Sequence, residues 1–262
     1  MKVIRYVDSA GQTRQGVETV QGRFEAEGIW PNVTPTTKSA EAAKLLAPII
    51  PTQIIGIGQN YRRHAAESNS PVPERPIVFY KNVSAVQDPD GPIRLPKLLP
   101  TGKPDYEGEL AVVIGRTCRD VAEEDALNYV AGYTCANDVS ARDWQREWGG
   151  SQWCKAKSFD TFCPLGPVLV GTDEIPDPNA LRIKTTLNDE VVQDWGTDDM
   201  IFSVKQLIAF LSADTTLPVG TVILTGTPHG VGMGRTPPLW LKPGDRVVVE
   251  IEGIGKLANY VE

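Results

Sequence analysis

Short alternations of apolar and polar residues dominate the chain and predict β-strands. In the first fifty residues this pattern covers residues 2–6 and 16–20, with the composition of a turn at 9–12 between them. Apolar runs further along the chain predict additional strands, at 54–57, 75–80, 110–114 and 246–251. The pattern is that of a strand-rich chain.

Three segments predict helices instead. Ser39 is a candidate N-cap for a short helix over residues 40–46. Asp120 and Glu123 have the spacing of a capping box, in which two side chains close the first turn of a helix. Ser203 precedes apolar residues at helical spacing, which are Val204, Leu207, Ile208 and Leu211.

The predicted elements favour an α+β, mainly β fold. Residues 181–187 and 190–193 flank Asn188-Asp189, which predicts a β-hairpin with a two-residue turn. Strands outnumber helices and do not alternate with them regularly, so a doubly wound parallel sheet is not expected. We expect a small β-rich domain over residues 1–50 and a larger domain over residues 51–262.

Composition narrows the class of protein. The 262 residues include 26 Lys and Arg against 33 Asp and Glu, so nucleic acid is not an expected partner. No apolar run approaches the roughly 18 residues of a membrane span, and no membrane partner is expected. The four cysteines form no C-x-x-C pair and the chain starts without a secretory apolar segment. These features predict a cytoplasmic protein.

Two glutamates mark the start of one predicted strand. Glu107 and Glu109 are two positions apart, so they point to the same face, which Ala111 and Val113 continue. Carboxylates in a poorly solvated place either take up a proton or bind a cation. Oxygen ligands suit Mg²⁺, Mn²⁺ or Ca²⁺ rather than zinc. The alternative is a pair of exposed acids on a half-buried strand.

A third acid and a lysine extend this pattern. Asp138 follows the apolar segment 129–136, where the chain could aim a carboxylate at Glu107 and Glu109. Lys157 lies further along and could donate to an oxyanion or to a substrate carboxylate. Taken alone, each of these residues is more often part of a surface salt bridge.

The chain has only two histidines. His64 and Glu67 are i, i+3 neighbours in a predicted helical turn at 60–67, where the carboxylate would orient the imidazole. This segment has few apolar residues, so we expect a mobile lid that carries a catalytic base. The alternative is an exposed His–Glu pair on a surface helix. His229 belongs either to a pocket rim or to a surface loop.

A glycine-rich segment is similar to a dinucleotide-binding loop. It runs from Gly230 to Gly234, but Arg235-Thr-Pro-Pro238 follows where a helix would have to begin. We therefore exclude a dinucleotide site at this segment.

From about residue 51 to the end, the chain resembles the fumarylacetoacetate hydrolase family. The strings that carry this resemblance are GQNYRRHAAE (58–67), DYEGELAVVIG (105–115), ANDVSARD (136–143), KSFDTF (157–162), LTGTP (224–228) and KPGD (242–245). The resemblance implies a mixed β-sandwich roll with a small N-terminal β-rich domain, and it implies a homodimer.

The resemblance also implies functional residues. Glu107, Glu109 and Asp138 would bind Mg²⁺ or Mn²⁺, with Ca²⁺ as a third candidate. The catalytic residues would be His64, Glu67 and Lys157, with the first two activating water and the lysine beside the metal. The residues contacting the substrate would be Asn60, Tyr61, Arg142, Gln145 and Thr227. Gln59 and Arg63 depart from the commoner Leu and Asp, which leaves the selectivity of the pocket open.

The implied activity is hydrolytic C–C cleavage of a 2,4-dioxo acid of the acylpyruvate or fumarylpyruvate type, giving pyruvate and a carboxylic acid. Such reactions occur in the breakdown of aromatic compounds. The alternative is decarboxylation, isomerisation or tautomerisation of a 2-oxo acid, such as oxaloacetate or 2-hydroxyhepta-2,4-diene-1,7-dioate, at the same metal site. A third hypothesis is a binding module that holds a cation and a small acid without turnover.

Overall fold

The computed structural model describes residues 1–148, 150 and 153–262, which form 19 β-strands and three short α-helices. The strands are β1 (Lys2–Val7), β2 (Thr13–Thr19), β3 (Gly22–Ile29), β4 (Asn32–Ser39), β5 (Lys44–Leu46), β6 (Gln53–Gly58), β7 (Ile77–Lys81), β8 (Val86–Gln87), β9 (Pro92–Ile93), β10 (Pro104–Asp105), β11 (Gly108–Ile114), β12 (Val130–Asn137), β13 (Ser140–Ala141), β14 (Cys163–Val170), β15 (Arg182–Leu187), β16 (Glu190–Gly196), β17 (Thr221–Leu224), β18 (Arg246–Ile251) and β19 (Gly255–Val261). The α-helices are α1 (Arg62–Glu67), α2 (Trp153–Ala156) and α3 (Val204–Ser212). Short 3₁₀ turns cover Val83–Ala85, Glu123–Tyr129, Thr197–Asp199 and Gly232–Gly234, and a π-helical turn covers Trp144–Trp148.

One large mixed sheet organises the molecule. Its strand order is β4-β3-β2-β1-β14-β12-β11-β17-β6-β7, with β5 added to β1 and β8 added to β14. A five-stranded sheet has the order β16-β15-β18-β19-β9, and β10 pairs with β13. Most pairs are antiparallel, whereas β17–β6, β14–β8 and β19–β9 are parallel. The mainly β class predicted from the sequence is confirmed.

Strand β11 lies at the centre of the large sheet, between β12 and β17, and all its residues are buried. Its two faces pack into different parts of the core. Leu110 and Val112 belong to one apolar cluster, and Ala111 and Val113 belong to another. The predicted alternation is therefore correct, and any polar side chain at the start of this strand points into a buried region.

The first fifty residues are built from strands β1–β5 and extend the large sheet. β1 pairs antiparallel with β14 through Lys2↔Val170 and Val3↔Leu169, so backbone hydrogen bonds join this segment to the rest of the chain. The division into domains at residue 50 stays a prediction. The longest α-helix in the described part of the chain has nine residues, and no helix there could cross a membrane.

The helix predicted over residues 40–46 is wrong. Residues 40–43 are irregular, and Lys44–Leu46 form β5, which pairs with β1 through Arg5↔Leu46. A helix of seven residues is marginal in water, because the cost of nucleation is spread over few hydrogen bonds. Pairing with the edge of β1 therefore prevails over the local preference.

Local turn and capping signals predicted other elements correctly. Asn188 and Asp189 both adopt positive φ, 49° and 69°, and join β15 to β16 in the predicted hairpin. Ser203 caps α3, with its side chain accepting a hydrogen bond from the Gln206 backbone N–H. Both signals act over three or four residues, and among the described residues no tertiary contact competes with them at these two places.

The capping box predicted at Asp120 is wrong. The segment Glu123–Tyr129 is a 3₁₀ helix whose N-cap, Ala122, makes no side-chain cap. Asp120 instead has a φ of 54° and accepts a hydrogen bond from the Asp214 backbone N–H, at 2.7 Å. Its carboxylate joins two loops rather than starting a helix.

Candidate active site

Three carboxylates meet where β11 begins and β12 ends. The antiparallel register Gly108↔Asn137 places Glu107 and Glu109 beside Asp138. The backbone N–H of Asp138 donates to the Glu107 carbonyl oxygen at 2.9 Å, which fixes the two ends together. One oxygen of each carboxylate lies within 4.8 Å of the others. The predicted convergence of these acids is therefore present.

All three carboxylates are buried. The exposed fractions of Glu107, Glu109 and Asp138 are 5%, 2% and 0%. This burial contradicts the alternative of exposed acids on a half-buried strand. Carboxylates held this way need protons or positive charge nearby, since burial disfavours the ionised form.

Two buried lysines supply part of that charge. Lys157 Nζ lies 2.7 Å from Glu107 Oε2, 2.6 Å from Asp138 Oδ2 and 2.7 Å from Ser140 Oγ. Lys81 Nζ, at the end of β7, lies 2.5 Å from Asp138 Oδ1. Lys157 was predicted to lie beside the acids. Lys81 was not, although a lysine that ends an apolar strand is a signal that could have marked it.

Arg142 holds Glu107 from the other side. Its Nη2 lies 2.7 Å from Glu107 Oε1, its Nε lies 2.9 Å from Asp105 Oδ2, and its Nη1 lies 2.9 Å from Gln145 Oε1. Burial alone would raise the pKa of Glu107, but the charges of Arg142 and Lys157 outweigh it and hold that pKa well below its ordinary value. Glu107 is therefore ionised.

Glu109 has no such partner. Its Oε2 accepts a hydrogen bond from the Gly226 backbone N–H at 2.8 Å, and no cationic side chain pairs with it among the described residues. Burial, followed by the charges of Asp138 and Glu107, raises the pKa of Glu109 well above its ordinary value. Glu109 is thus the carboxylate that an added cation would most stabilise.

The charges around the cluster do not balance. The buried charged groups of this hydrogen-bonded cluster are the acids Asp105, Glu107, Glu109 and Asp138 and the bases Lys81, Arg142 and Lys157. Two further buried acids, Asp143 and Asp245, bond to other parts of the chain. With all seven groups of the cluster ionised, one negative charge is in excess. Three hard oxygen donors with excess negative charge fit a Mg²⁺, Mn²⁺ or Ca²⁺ ion. The donor set would suit zinc poorly.

A histidine–glutamate pair lies on helix α1, close to this cluster. His64 Nδ1 lies 3.0 Å from Glu67 Oε2, and Glu67 Oε1 accepts a hydrogen bond from the Gly230 backbone N–H at 2.8 Å. His64 is buried, with 6% exposed, and so is Ala65. The alternative of an exposed surface pair is wrong for the histidine. The mobility expected of this segment stays a prediction.

Residues from the carboxylate cluster and from the His–Glu pair line one cleft. The residues predicted from the sequence that line it are His64, Glu107, Glu109, Arg142, Gln145, Lys157 and Thr227. Phe79, Trp153 and Met233 give the cleft apolar surface. Thr227 donates through Oγ1 to the Gly108 carbonyl oxygen and accepts from Gln193 Nε2, so its hydroxyl is already engaged. His64 and two of the three clustered carboxylates therefore face the same small space, while Glu67 and Asp138, which do not line it, bond to the lining residues His64 and Lys157.

Two predicted substrate residues do not line the cleft. The carboxamide of Asn60 bonds the backbone of Phe202 and the carbonyl oxygen of Thr225. Tyr61 is fully buried, and burial, followed by the charge of Glu109, raises the pKa of its phenol well above the ordinary value. Both residues immediately precede α1, so their contacts position the helix that carries His64.

The glycine-rich segment that the sequence excluded as a dinucleotide loop joins the two parts of the site. The backbone N–H of Gly230 binds Glu67, while those of Gly232 and Met233 bind Asp105 at 2.8 and 3.1 Å. A Cβ at position 232 would lie 1.9 Å from the Leu239 carbonyl oxygen. The close approach requires glycine, and the loop connects the dyad to the partner of Arg142.

His229 is not part of the cleft. Its ring packs edge-on against Trp195, with 5.0 Å between centroids, and the guanidinium of Arg63 lies over the same Trp195 ring at 3.9 Å. This places His229 in a half-buried stack. Neither alternative holds as predicted, because His229 does not line the cleft and is half-buried rather than exposed on a surface loop.

Comparison with known proteins identifies the family. The model of the family "Fumarylacetoacetate (FAA) hydrolase C-terminal" matches residues 53–262. The chain belongs to the fumarylacetoacetate hydrolase family. The chain is 50% identical over 218 residues to "Oxaloacetate tautomerase fahd2, mitochondrial" of Xenopus laevis, covering 83% of this chain and 68% of that protein.

Solved structures of the fumarylacetoacetate hydrolase family share the fold. The 5-carboxymethyl-2-hydroxymuconate delta-isomerase of Mycobacterium smegmatis superposes with a TM-score of 0.86 at 38% identity, covering 100% of this chain and 99% of that one. The 2-hydroxyhepta-2,4-diene-1,7-dioate isomerase of Mycobacterium marinum gives 0.84 at 36% identity, covering 100% and 98%. The protein is therefore an enzyme of this family, and these three relatives are named as a tautomerase and two isomerases, whereas a structure from Exiguobacterium antarcticum at 37% identity is named as a fumarylacetoacetate hydrolase.

Proposed function

We propose that the protein is a divalent-metal-dependent tautomerase or isomerase of a small 2-oxo acid, with oxaloacetate as the first substrate to test. The observation that carries the proposal is that His64, which is paired with Glu67, lines one cleft together with Glu107 and Glu109 of the carboxylate cluster. The 50% identity to a protein named oxaloacetate tautomerase favours this chemistry over C–C hydrolysis. The hydrolase that the resemblance placed first thus becomes the second candidate.

The carboxylate cluster would hold the metal ion. Glu107, Glu109 and Asp138 are its proposed ligands, and the ion would supply Lewis-acid polarisation of the substrate's 2-oxo group. The three N–H groups of Lys157 already face Glu107, Asp138 and Ser140. In this proposal the lysine therefore positions two of the ligands, and it adds positive charge where negative charge develops.

His64 is the proposed proton carrier. Because Glu67 accepts the hydrogen bond from Nδ1–H, the neutral ring keeps an unprotonated Nε2 that can act as a base. In enolisation of oxaloacetate the C3–H bond breaks and a proton joins the 2-oxo oxygen, and in ketonisation the C3–H bond forms and the proton leaves that oxygen. One proton moves between two atoms of the same substrate, and no water is consumed.

The experiment that tests this function is the conversion of enol to keto oxaloacetate by the Mg²⁺-loaded protein, followed by ultraviolet absorbance and by NMR. His64→Ala should lower the rate by about 100-fold or more, because a positioned acid–base group contributes that much. His229→Gln is the matched control, since His229 neither lines the cleft nor bonds to Glu67. Equal rates for wild type and His64→Ala would remove His64 from the mechanism.

A second candidate is hydrolysis of an acylpyruvate-type 2,4-dioxo acid. The His64–Glu67 pair favours it as well, since a base beside a polarised carbonyl can activate water. Products distinguish the candidates. Pyruvate and a shorter carboxylic acid would identify the hydrolase, carbon dioxide from oxaloacetate a decarboxylase, and a shifted double bond or keto–enol exchange the tautomerase or isomerase. Binding without turnover on the whole panel would identify a non-catalytic module.

The proposal also keeps the expected setting of the enzyme. The resemblance implies a homodimer, and the cysteine pattern predicts that the protein is cytoplasmic. Light scattering after size exclusion would test the first, with twice the mass of the 262-residue chain expected.

A further inference from the structure

The cleft contains three cationic side chains, and two of them are already paired with acids. Arg142 binds Asp105 and Glu107, and Lys157 binds Glu107 and Asp138. The third, Arg146, forms no ion pair with any acid in the described part of the chain, although it lines the same cleft. Its guanidinium is therefore the cation that can still receive an anion.

The backbone presents Arg146 at the edge of the cleft. It lies in the π-helical turn Trp144–Trp148, directly after Gln145, whose buried side chain accepts from Arg142. Single π turns recur at functional sites because they shift side chains out of the regular helical positions. Arg146 is exposed to solvent and also lines the cleft, where Gln59 and Ser68 supply neutral polar groups.

The surroundings of Arg146 favour an incoming anion. Burial and then the charge of Arg142 lower the pKa of the Arg146 guanidinium, while Glu107 opposes this. Arginine nevertheless stays protonated in proteins, so the side chain remains a cation beside another cation. A carboxylate placed against it would relieve this repulsion, and the planar guanidinium can bind both carboxylate oxygens.

We propose that Arg146 receives the distal carboxylate of a dicarboxylate substrate, so that the cleft selects 2-oxo diacids over 2-oxo monoacids. The inference rests on the proposed function for the reacting end of the substrate, which would face Glu107, Glu109 and Asp138. The far end of a four-carbon diacid would then be bound by the Arg146 guanidinium, which lines the same cleft. Oxaloacetate fits this description, and pyruvate does not.

Equilibrium binding tests the proposal without any turnover. Isothermal titration of the Mg²⁺-loaded protein compares L-malate with L-lactate, which are unreactive acids that share a 2-hydroxy acid end and differ in the distal carboxylate. Arg146→Met should weaken L-malate binding by about 10- to 100-fold, the range for a charge-assisted hydrogen bond, and change L-lactate binding less than about twofold. Arg146→Lys should recover part of the loss, because it keeps the charge without the planar fork.

The control is Arg94→Met, which removes an arginine that is exposed and outside the cleft. It should bind both acids as the wild type does. The proposal is overturned if the wild type binds the two acids equally or binds neither. It is also overturned if Arg146→Met weakens both to the same extent or leaves the preference for malate intact.

Steady-state kinetics separates this proposal from the proposed function. Oxaloacetate and 2-oxosuccinamate differ only in whether the distal group is a carboxylate or a neutral amide. Arg146→Met should raise the KM for oxaloacetate about 10-fold or more with a smaller change in kcat, and it should abolish the preference over the amide. An enzyme inactive on both compounds would refute the tautomerase, while the malate and lactate titration would still decide the role of Arg146.

Discussion

At the scale of single residues, the three carboxylates of the site differ in how many cationic side chains contact them. Glu107 contacts two cationic side chains, Asp138 also contacts two, and Glu109 contacts none among the described residues. The same chemical group is therefore held ionised at Glu107 and biased towards its protonated form at Glu109. The difference arises from distances of a few ångströms, since Coulomb energies in a poorly solvated interior fall off over that range.

Glu109→Gln should remove metal binding without harming the metal-free fold. Because the raised pKa of Glu109 favours the neutral acid, a neutral amide of the same shape replaces it at little cost. Mg²⁺ at 100 times its Kd should stabilise the wild type by roughly 2.7 kcal/mol. We expect the variant to lose this stabilisation by Mg²⁺, and thermal unfolding measured with and without chelator would show the loss. Glu123→Gln, an exposed acid, is the control and should keep it.

Lys81→Met should destabilise the fold strongly. The substitution leaves Asp138 buried with one cationic partner instead of two. Removing one member of a buried ion pair costs about 3–5 kcal/mol, because the remaining charge is poorly compensated. Urea unfolding should show a lower midpoint. Lys38→Met breaks an exposed pair with Glu25 and should cost less than about 1 kcal/mol. Similar losses in the two variants would contradict the importance of burial.

At the scale of elements, a short loop links the parts of the site that β11, β12 and α1 carry. The 3₁₀ turn Gly232–Gly234 and the residues before it supply backbone N–H groups to Glu67 and to Asp105. Asp105 in turn binds Arg142, which binds Glu107. Because each step is a direct hydrogen bond, the loop links the orientation of the dyad to the orientation of one proposed metal ligand.

Gly234→Ala should impair turnover more than stability. The added Cβ would lie 2.4 Å from Glu67 Cδ, and the flexible end of that side chain must move. His64 would lose its orientation while the carboxylate cluster stays intact. We expect a fall in kcat of about 10-fold or more with the Mg²⁺-dependent rise in Tm retained. Gly102→Ala, whose Cβ would meet only Asp143 Oδ2 at 4.0 Å, is the control. An unchanged kcat in Gly234→Ala would contradict the idea that this loop orients the His64–Glu67 pair.

At the scale of the whole molecule, the large sheet makes the N-terminal segment part of one hydrogen-bonded structure. β1 covers part of β14, and Val3 and Val17 pack in the same apolar cluster as Leu165 and Leu169. The central strands β11 and β12, which carry the site, are two positions or fewer from β14 in the strand order. Segments on the two sides of the predicted boundary near residue 50 are therefore joined by the β1–β14 pairing and by this apolar cluster.

A chain that begins at residue 51 should be less stable than the full chain. Removing β1 exposes an edge of β14 and the apolar side chains that covered it, and such edges promote association between copies. We expect a lower Tm, and aggregation in size-exclusion chromatography. A truncated chain with the same Tm and a single sharp peak would show instead that residues 1–50 form an independent domain.

The sequence by itself determined the features that depend on neighbours along the chain. The alternation in β11 follows from the period of a strand, and the Asn188-Asp189 turn and the Ser203 cap follow from local backbone chemistry. The same period put Glu107 and Glu109 on one face. Local patterns also offered Asp138, Lys157 and the His64–Glu67 pair as candidates, and the resemblance to the family favoured them over the surface alternatives.

Only the tertiary structure decided how these residues are partnered. Lys81 reaches Asp138 across 57 positions, and Gly232 reaches Asp105 across 127. Lys44–Leu46, within the segment predicted as a helix, form a strand because β1 offers an edge, which the segment's own sequence does not encode. Local preferences amount to fractions of a kcal/mol per residue, whereas strand register and buried charge pairs involve several. Long-range pairing therefore decides which buried carboxylate is left without a cation.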